Sequence, residues 1–158
     1  MTAEALPGAG PPCRSILVVC YGNICRSPMA EALLRRDLEE AGLGARFSVS
    51  SAGIVAVPGN PAAPGALQAA GARGLSVAAH RARRLTADMA RQADVVIALD
   101  EVVEEEISIL AGDLPIVLWP VDDPYGGPEE GYSRALAAIE AHVQRFVTGL
   151  ASETRARD

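Results

Sequence analysis

Ile16-Leu17-Val18-Val19-Cys20-Tyr21-Gly22-Asn23-Ile24-Cys25-Arg26-Ser27-Pro28 joins two structural signals through a chemical one. The four aliphatic residues at its start form an unbroken apolar run. That pattern predicts a strand buried on both faces, as in a parallel sheet. From Pro28 onward the period changes. Met29, Leu33, Leu34 and Leu38 recur at helical spacing, with Glu31, Arg35, Arg36 and Glu39 opposite. Ser27 is expected to cap this helix, with Pro28 at its first position and Gly42 closing it.

The same alternation continues along the chain. Phe47–Ser50 predicts a second strand, and residues 52–63 a Gly/Pro loop. Pro64–Ala72 predicts a short helix, and Thr86 caps another running to Gln92 with Asp88 in its first turn. Asp94–Ala98 and Ile116–Leu118 predict a third and a fourth strand, separated by a helix from Glu101 to Leu110. Tyr132–Thr148 predicts a long helix with Leu136, Ile139, Val143, Phe146 and Val147 on one face. Strands alternating with helices imply a parallel sheet. The expected fold is therefore α/β: a four-stranded parallel sheet in a flavodoxin-like three-layer sandwich, helices on both faces. Ligands of such sheets bind beyond the carboxyl ends of the strands, where the strand order reverses. The turn after the first strand is the place to look.

Composition narrows the function. The chain has 158 residues, 49% of them hydrophobic, and a net charge of −6. One domain is expected over residues 15–150, with a flexible tail at 1–14 and a polar tail at 151–158. All 14 basic residues are Arg. An acidic chain without a basic block is a poor partner for nucleic acid or anionic membranes. No apolar run reaches the length of a membrane helix, and the opening residues lack signal-peptide character. Three cysteines do not make a secreted disulfide scaffold, so a cytoplasmic protein is expected.

The turn itself suits phosphate. Backbone N–H groups of a tight loop and of a helix N-terminus make an anion site. That field favours a cysteine thiolate, and Arg26 offers a planar fork that matches two phosphate oxygens. Gly22 and Asn23 tolerate the positive φ such a loop requires. A lone Cys is more often a buried structural thiol. Arg26, Gly22-Asn23 and the helix start together favour a nucleophile at Cys20. A Walker loop is excluded by the absence of any Lys, and Cys13, Cys20 and Cys25 lack zinc-site spacing.

Cys20-Tyr-Gly-Asn-Ile-Cys-Arg-Ser27 resembles the Cys-x5-Arg signature of the bacterial-type low-molecular-weight protein tyrosine phosphatases. Asp123-Pro124-Tyr125, about a hundred residues later, is similar to that family's general-acid loop, and Ser51-Ala52-Gly53 matches as well. The resemblance covers roughly residues 15–150. It implies hydrolysis of phosphotyrosine through a phosphocysteine intermediate. Cys20 would attack phosphorus, Arg26 and the loop amides would hold the oxygens, and Asp123 would protonate the leaving group. Tyr21, Gly22, Asn23, Ile24, Cys25 and Ser27 would bind or support the phosphate. Ser27 would hydrogen-bond the thiolate, and Ser51 and His80 would support Asn23. Tyr21 and Tyr125 would wall the substrate slot. Asp100 matches a family aspartate near the loop but equally reads as an N-cap. Asp122 is assigned to solvent. No metal or organic cofactor is implied. Phosphotyrosine proteins are the expected partners, a bacterial tyrosine kinase among them.

The departures bear on specificity. The loop at 54–59 carries no aromatic residue, and Gly126-Gly127 resembles bacterial members. A branch that dephosphorylates phosphoarginine carries Thr where Ile24 stands, so Ile24 favours phosphotyrosine. The related arsenate reductases need two further downstream cysteines, and none follows Cys25. A Cys20–Cys25 disulfide would give reversible protection against oxidation. Outside the enzymes, a phosphate-binding module and a redox thiol protein are the rival readings. The combination of Cys20, Arg26 and Asp123 argues against a mere binder, which needs no acid. Trp119 and Tyr132 are expected to pack in the core, and Arg81, Arg83 and Arg84 to form a solvated face.

Overall fold

The computed structural model describes residues 13–157. Its elements run β1 (Arg14–Cys20), α1 (Arg26–Glu40), β2 (Phe47–Gly53), α2 (Pro64–Ala72), α3 (Ala87–Gln92), β3 (Val95–Ala98), α4 (Glu101–Ala111), β4 (Ile116–Leu118) and α5 (Glu129–Arg157). The four strands form one parallel sheet in the order β2-β1-β3-β4. This is the doubly wound, flavodoxin-like arrangement expected. The order reverses at β1, which is hydrogen-bonded to β2 on one side and β3 on the other. Cys20 ends β1 at that reversal.

β1 is buried on both faces because both are covered by helices. Ile16, Val18 and Cys20 pack with α1, α2 and α5. Leu17 and Val19 pack with Ala90 of α3 and Val103 and Ile107 of α4. α1 turns Met29, Leu33, Leu34 and Leu38 inward, all essentially without solvent contact. Each such side chain contributes about 1.5–3 kcal/mol by leaving water. Gly42, at φ 77, ends that helix, and Leu43 N–H reaches back to Leu38 O at 2.8 Å. Glu140 of α5 ties the layer together through Arg36 of α1 and Arg73 after α2. The Arg73 hydrogen bond is the main influence holding its carboxyl below the usual range.

Several boundaries differ from the sequence expectation. β1 begins at Arg14, inside the segment expected to be a tail; the rest of that expectation, residues 1–12, lies outside the described residues. β3 begins one residue late, at Val95; Asp94 closes the end of the strand on β1, its carboxylate accepting from Ser15 N–H at 2.7 Å and its N–H donating to Ser15 O at 3.0 Å. α5 starts at Glu129 and runs through Arg157, so the described part of the expected tail at 151–158 is helical. No proline interrupts it, and Glu153 pairs with Arg157 across one turn. Ser27 does not cap α1. The cap position is Cys25, which makes no side-chain cap bond, and the helix begins at Arg26. The Ser27 hydroxyl is committed elsewhere.

Candidate active site

The loop from Cys20 to Ser27 is built around Asn23. This residue has φ 57, the only positive φ at a non-glycine among the described residues. Asn and Asp adopt that conformation more readily than other side chains. Asn23 has no solvent exposure, and its polar atoms are all engaged. Its N–H points to Cys20 Sγ at 3.3 Å. Its side-chain Nδ2 donates to Ser27 Oγ at 2.7 Å and to Ser51 Oγ at 3.0 Å. Its Oδ1 accepts from Arg83 N–H at 2.8 Å. Its carbonyl lies 2.6 Å from His80 Nε2, and a carbonyl can only accept, so that nitrogen carries the proton.

The directions of these bonds bear on the sulfur. Asn23 fills an acceptor of Ser27 Oγ, so the Ser27 proton is left for Cys20 Sγ, 2.9 Å away. Ser51 accepts from Asn23 and donates to Glu31 Oε1 at 2.6 Å. From Asn23 the donors therefore run two ways, through Ser27 to Cys20 and through Ser51 to Glu31. Two donors, Asn23 N–H and Ser27 O–H, meet at the sulfur. Gly53, at the end of β2, completes the support. A Cβ on it would lie 2.8 Å from Asn23 N and 2.9 Å from Gly22 C, so only glycine lets β2 approach the loop this closely.

Arg26 is the largest fully buried side chain, 1% exposed. Its NH1 donates to Asp100 Oδ2 at 2.8 Å and to Val121 O at 3.0 Å, with Leu99 O at 3.5 Å. Its NH2 lies 3.5 Å from Asp123 Oδ2. Its Nε is buried and has no hydrogen-bond partner. A buried guanidinium N–H without a partner is costly, so this edge of the fork suits an anion. Both readings of Asp100 hold at once: one carboxylate oxygen anchors Arg26, and the other caps α4 by accepting from Val103 N–H at 2.7 Å.

Asp123 stands across the cleft on the segment before α5. Its side chain is 45% exposed, and its Oδ1 accepts from Tyr125 N–H at 3.1 Å. Asp122 is exposed. A cleft of about 220 Å³ is lined by Cys20, Tyr21, Gly22, Ile24, Cys25, Arg26, Val55, Asp123 and Tyr125. Tyr21 and Tyr125 stand at its rim, half to two-thirds exposed. Val55 shares that rim, a wall residue that the aromatic-poor 54–59 loop did not suggest. Its only signal was an exposed aliphatic in a Gly/Pro loop.

Cys25 lines the same cleft as Cys20. It is buried, with its sulfur 3.9 Å from the Tyr132 hydroxyl. Burial pushes its thiol up to about 11, only partly offset by the Tyr132 hydrogen bond. Tyr132 packs in the core as expected, but its hydroxyl also meets the loop. Its ring lies against Gly65, where a Cβ would fall 2.4 Å from it. The structure thus brings together Tyr21, Gly22, Ile24, Cys25, Asp123 and Tyr125 around Cys20 and Arg26, with Asn23, Ser27, Ser51 and His80 behind them. Glu31 and the Arg83 backbone also belong to that support, and the sequence reading did not find them.

Comparison with known proteins agrees with this geometry. The model of the family described as low molecular weight phosphotyrosine protein phosphatase matches residues 15–156. EpsP of Ralstonia solanacearum, named a probable low molecular weight protein-tyrosine-phosphatase, is 36% identical over 144 residues, 85% of this chain and 94% of its own length. The low molecular weight phosphotyrosine protein phosphatase of Schizosaccharomyces pombe is 34% identical over 151 residues, 86% of this chain and 96% of its own. Among solved structures, tyrosine phosphatase Wzb from Escherichia coli K30 with bound sulphate superposes with a TM-score of 0.80 at 31% identity, covering 87% of this chain and 99% of that one. The YwlE arginine phosphatase, as a cysteine-to-serine mutant with a phosphorylated active-site serine, gives 0.83 at 29% identity, covering 89% and 98%.

Proposed function

We propose that this chain, which belongs to the low molecular weight phosphotyrosine protein phosphatase family, hydrolyses phosphotyrosine in proteins with the residues gathered around Cys20. The observation that carries the reading is the buried Arg26 fork, its Nε without a partner, facing a sulfur that receives two hydrogen bonds. Arg26 and the loop amides hold the phosphoryl oxygens. Cys20 sulfur attacks phosphorus, the bond to the tyrosyl oxygen breaks, and Asp123 gives its proton to that oxygen. A water then attacks the phosphocysteine, Asp123 takes back a proton, and phosphate leaves as the sulfur regains its electron pair. Ser27 and Asn23 stabilise the departing thiolate.

Ile24, Tyr21, Val55 and Tyr125 offer an apolar slot matched to an aryl group. A phosphorylated guanidinium finds no hydroxyl at Ile24 to receive it. The partners are phosphotyrosine proteins, a bacterial tyrosine kinase among them, met in the cytoplasm. No helix among the described residues is long and apolar enough to cross a membrane. The test is hydrolysis of p-nitrophenyl phosphate, a phosphotyrosine peptide and phosphoarginine by the wild type and Cys20→Ser, without added metal. Activity on the first two that disappears in Cys20→Ser supports the reading. Preference for phosphoarginine keeps the mechanism and overturns the substrate. No hydrolysis of any of them overturns both.

A further inference from the structure

Behind the phosphate loop lies a second cleft, of about 590 Å³, which the phosphatase mechanism does not use. Its volume falls in the range of small-molecule sites. It opens between α1, β2 and the segment at 74–83. Besides Ser27, the groups that hold the Asn23 side chain and carbonyl come from its walls: Ser51 on Nδ2, Arg83 N–H on Oδ1 and His80 on the carbonyl. The conformation of Asn23, strained at φ 57, therefore depends on the residues that line this cleft.

The lining selects the sign of a ligand. Glu31 is taken up by Arg35 at 2.6 Å and by Ser51. Arg81 and Arg83 remain as uncompensated positive charge, in a chain whose net charge is −6. Arg81 donates from NH1 to His80 O and Ala78 O, and Arg83 from Nε to Ser51 O. The remaining N–H groups of both guanidiniums have no protein acceptor among the described residues. No Phe, Tyr or Trp lines the cleft, so a nucleotide base would have nothing to stack on.

We propose that this cleft is an effector site for a compact polyanion, one bearing two or more phosphoryl groups on a small scaffold, and that its occupancy changes turnover through Asn23. The anion pairs with Arg81 and Arg83 and competes with Glu31 for Arg35. Glu31 then changes its hold on Ser51, and Ser51 its hold on Asn23. The binding half stands by itself; the change in turnover rests on the phosphatase reading above.

The probes are inorganic tripolyphosphate and fructose 1,6-bisphosphate, titrated separately to tell an inorganic from a sugar source. Calorimetry counts sites on the wild type and on an Arg35→Gln/Arg81→Gln variant. Two sites in the wild type and one in the variant are expected for at least one probe, the shared site being the catalytic loop. p-Nitrophenyl phosphate kinetics in parallel should show kcat altered about twofold or more at saturating substrate, in the wild type only. One site in both proteins, with a purely competitive rise in KM, overturns the proposal. So does a kcat change that persists in the variant. Two sites in an enzyme that hydrolyses nothing would overturn the phosphatase reading and the change in turnover, and leave the cleft.

Discussion

The loop at 20–27 and the segment at 121–128 face each other across one cleft but are held in opposite ways. In the first, Cys20, Asn23, Cys25, Arg26 and Ser27 are all buried, and Asn23 alone is hydrogen-bonded to three residues outside the loop, Ser51, His80 and Arg83. In the second, Asp122, Asp123 and residues 125–128 are exposed. Past Val121, Tyr125 N–H bonds to Asp123 and Gly127 N–H to Pro124, both within the segment itself. Val121 is the firm anchor: its N–H donates to Leu99 O at 3.0 Å and its carbonyl accepts from Arg26 NH1 at 3.0 Å. Groups that stabilise charge act best when fixed in advance. A group that hands a proton first to a leaving oxygen and then takes one from water gains from room to move. On the proposed mechanism, the buried half is where charge sits and the exposed half is where the proton travels.

That contrast can be broken most sharply at the sulfur. Cys20→Ser keeps the hydroxyl partner of Ser27 and the shape of the loop but loses the nucleophile. Turnover of p-nitrophenyl phosphate should fall by about 10⁴ or more, while inorganic phosphate, measured by calorimetry, still binds. Asp123→Asn comes next. With a phosphotyrosine peptide, kcat should fall by about 10²–10³. With p-nitrophenyl phosphate the fall should be smaller, because that leaving group needs less help from an acid. Equal losses on both substrates would remove Asp123 from the acid role.

Two glycines compare the regions directly. Gly53→Ala drives a Cβ into the Asn23 and Gly22 backbone, and that backbone has nowhere to go. A fall in kcat of about tenfold or more is expected, with a lower Tm. Gly126→Ala meets nothing within 4 Å and suffers only from φ 78. Its cost should be about 1 kcal/mol, with kcat nearly unchanged. Similar kinetic losses in the two variants would mean the acid segment is as rigid as the phosphate loop.

At high pH the contrast becomes a stability slope. Cys25 holds its proton in the folded chain up to about pH 11, against a usual value of 9.0. Between those values the unfolded chain has released the proton and the folded chain has not. Stability is therefore untouched below pH 9 and declines as pH rises toward 11, by up to about 3 kcal/mol. Denaturant titrations should show that decline in the wild type and a flatter profile in Cys25→Ala.

How much of this was legible in the sequence follows from distance along the chain. β1, the loop and the amphipathic face of α1 are contiguous, so one stretch carried strand, turn and helix. Thr86 and Asp100 were readable as caps because capping is local. Ser27 misled for the same reason: its local rule says cap, while Cys20 and Asn23 claim its hydroxyl. Glu31, the Arg83 backbone and Val55 were not legible. Each acts through a partner 20 or more residues away, or through a rim that exists only once β2 lies beside the loop. α5 runs past its expected end because Leu150 is still buried in the core with Ala151 against it, and propagation carries the helix on from there.

The most direct test is the phosphoenzyme. Wild type and Asp123→Asn would be mixed with a ³²P-phosphotyrosine peptide, rapidly quenched, and the label mapped to a residue. The account predicts a transient label on Cys20 and on no other residue, absent from Cys20→Ala. Release of phosphate with no labelled enzyme at any time, or a label on Cys25, would contradict it.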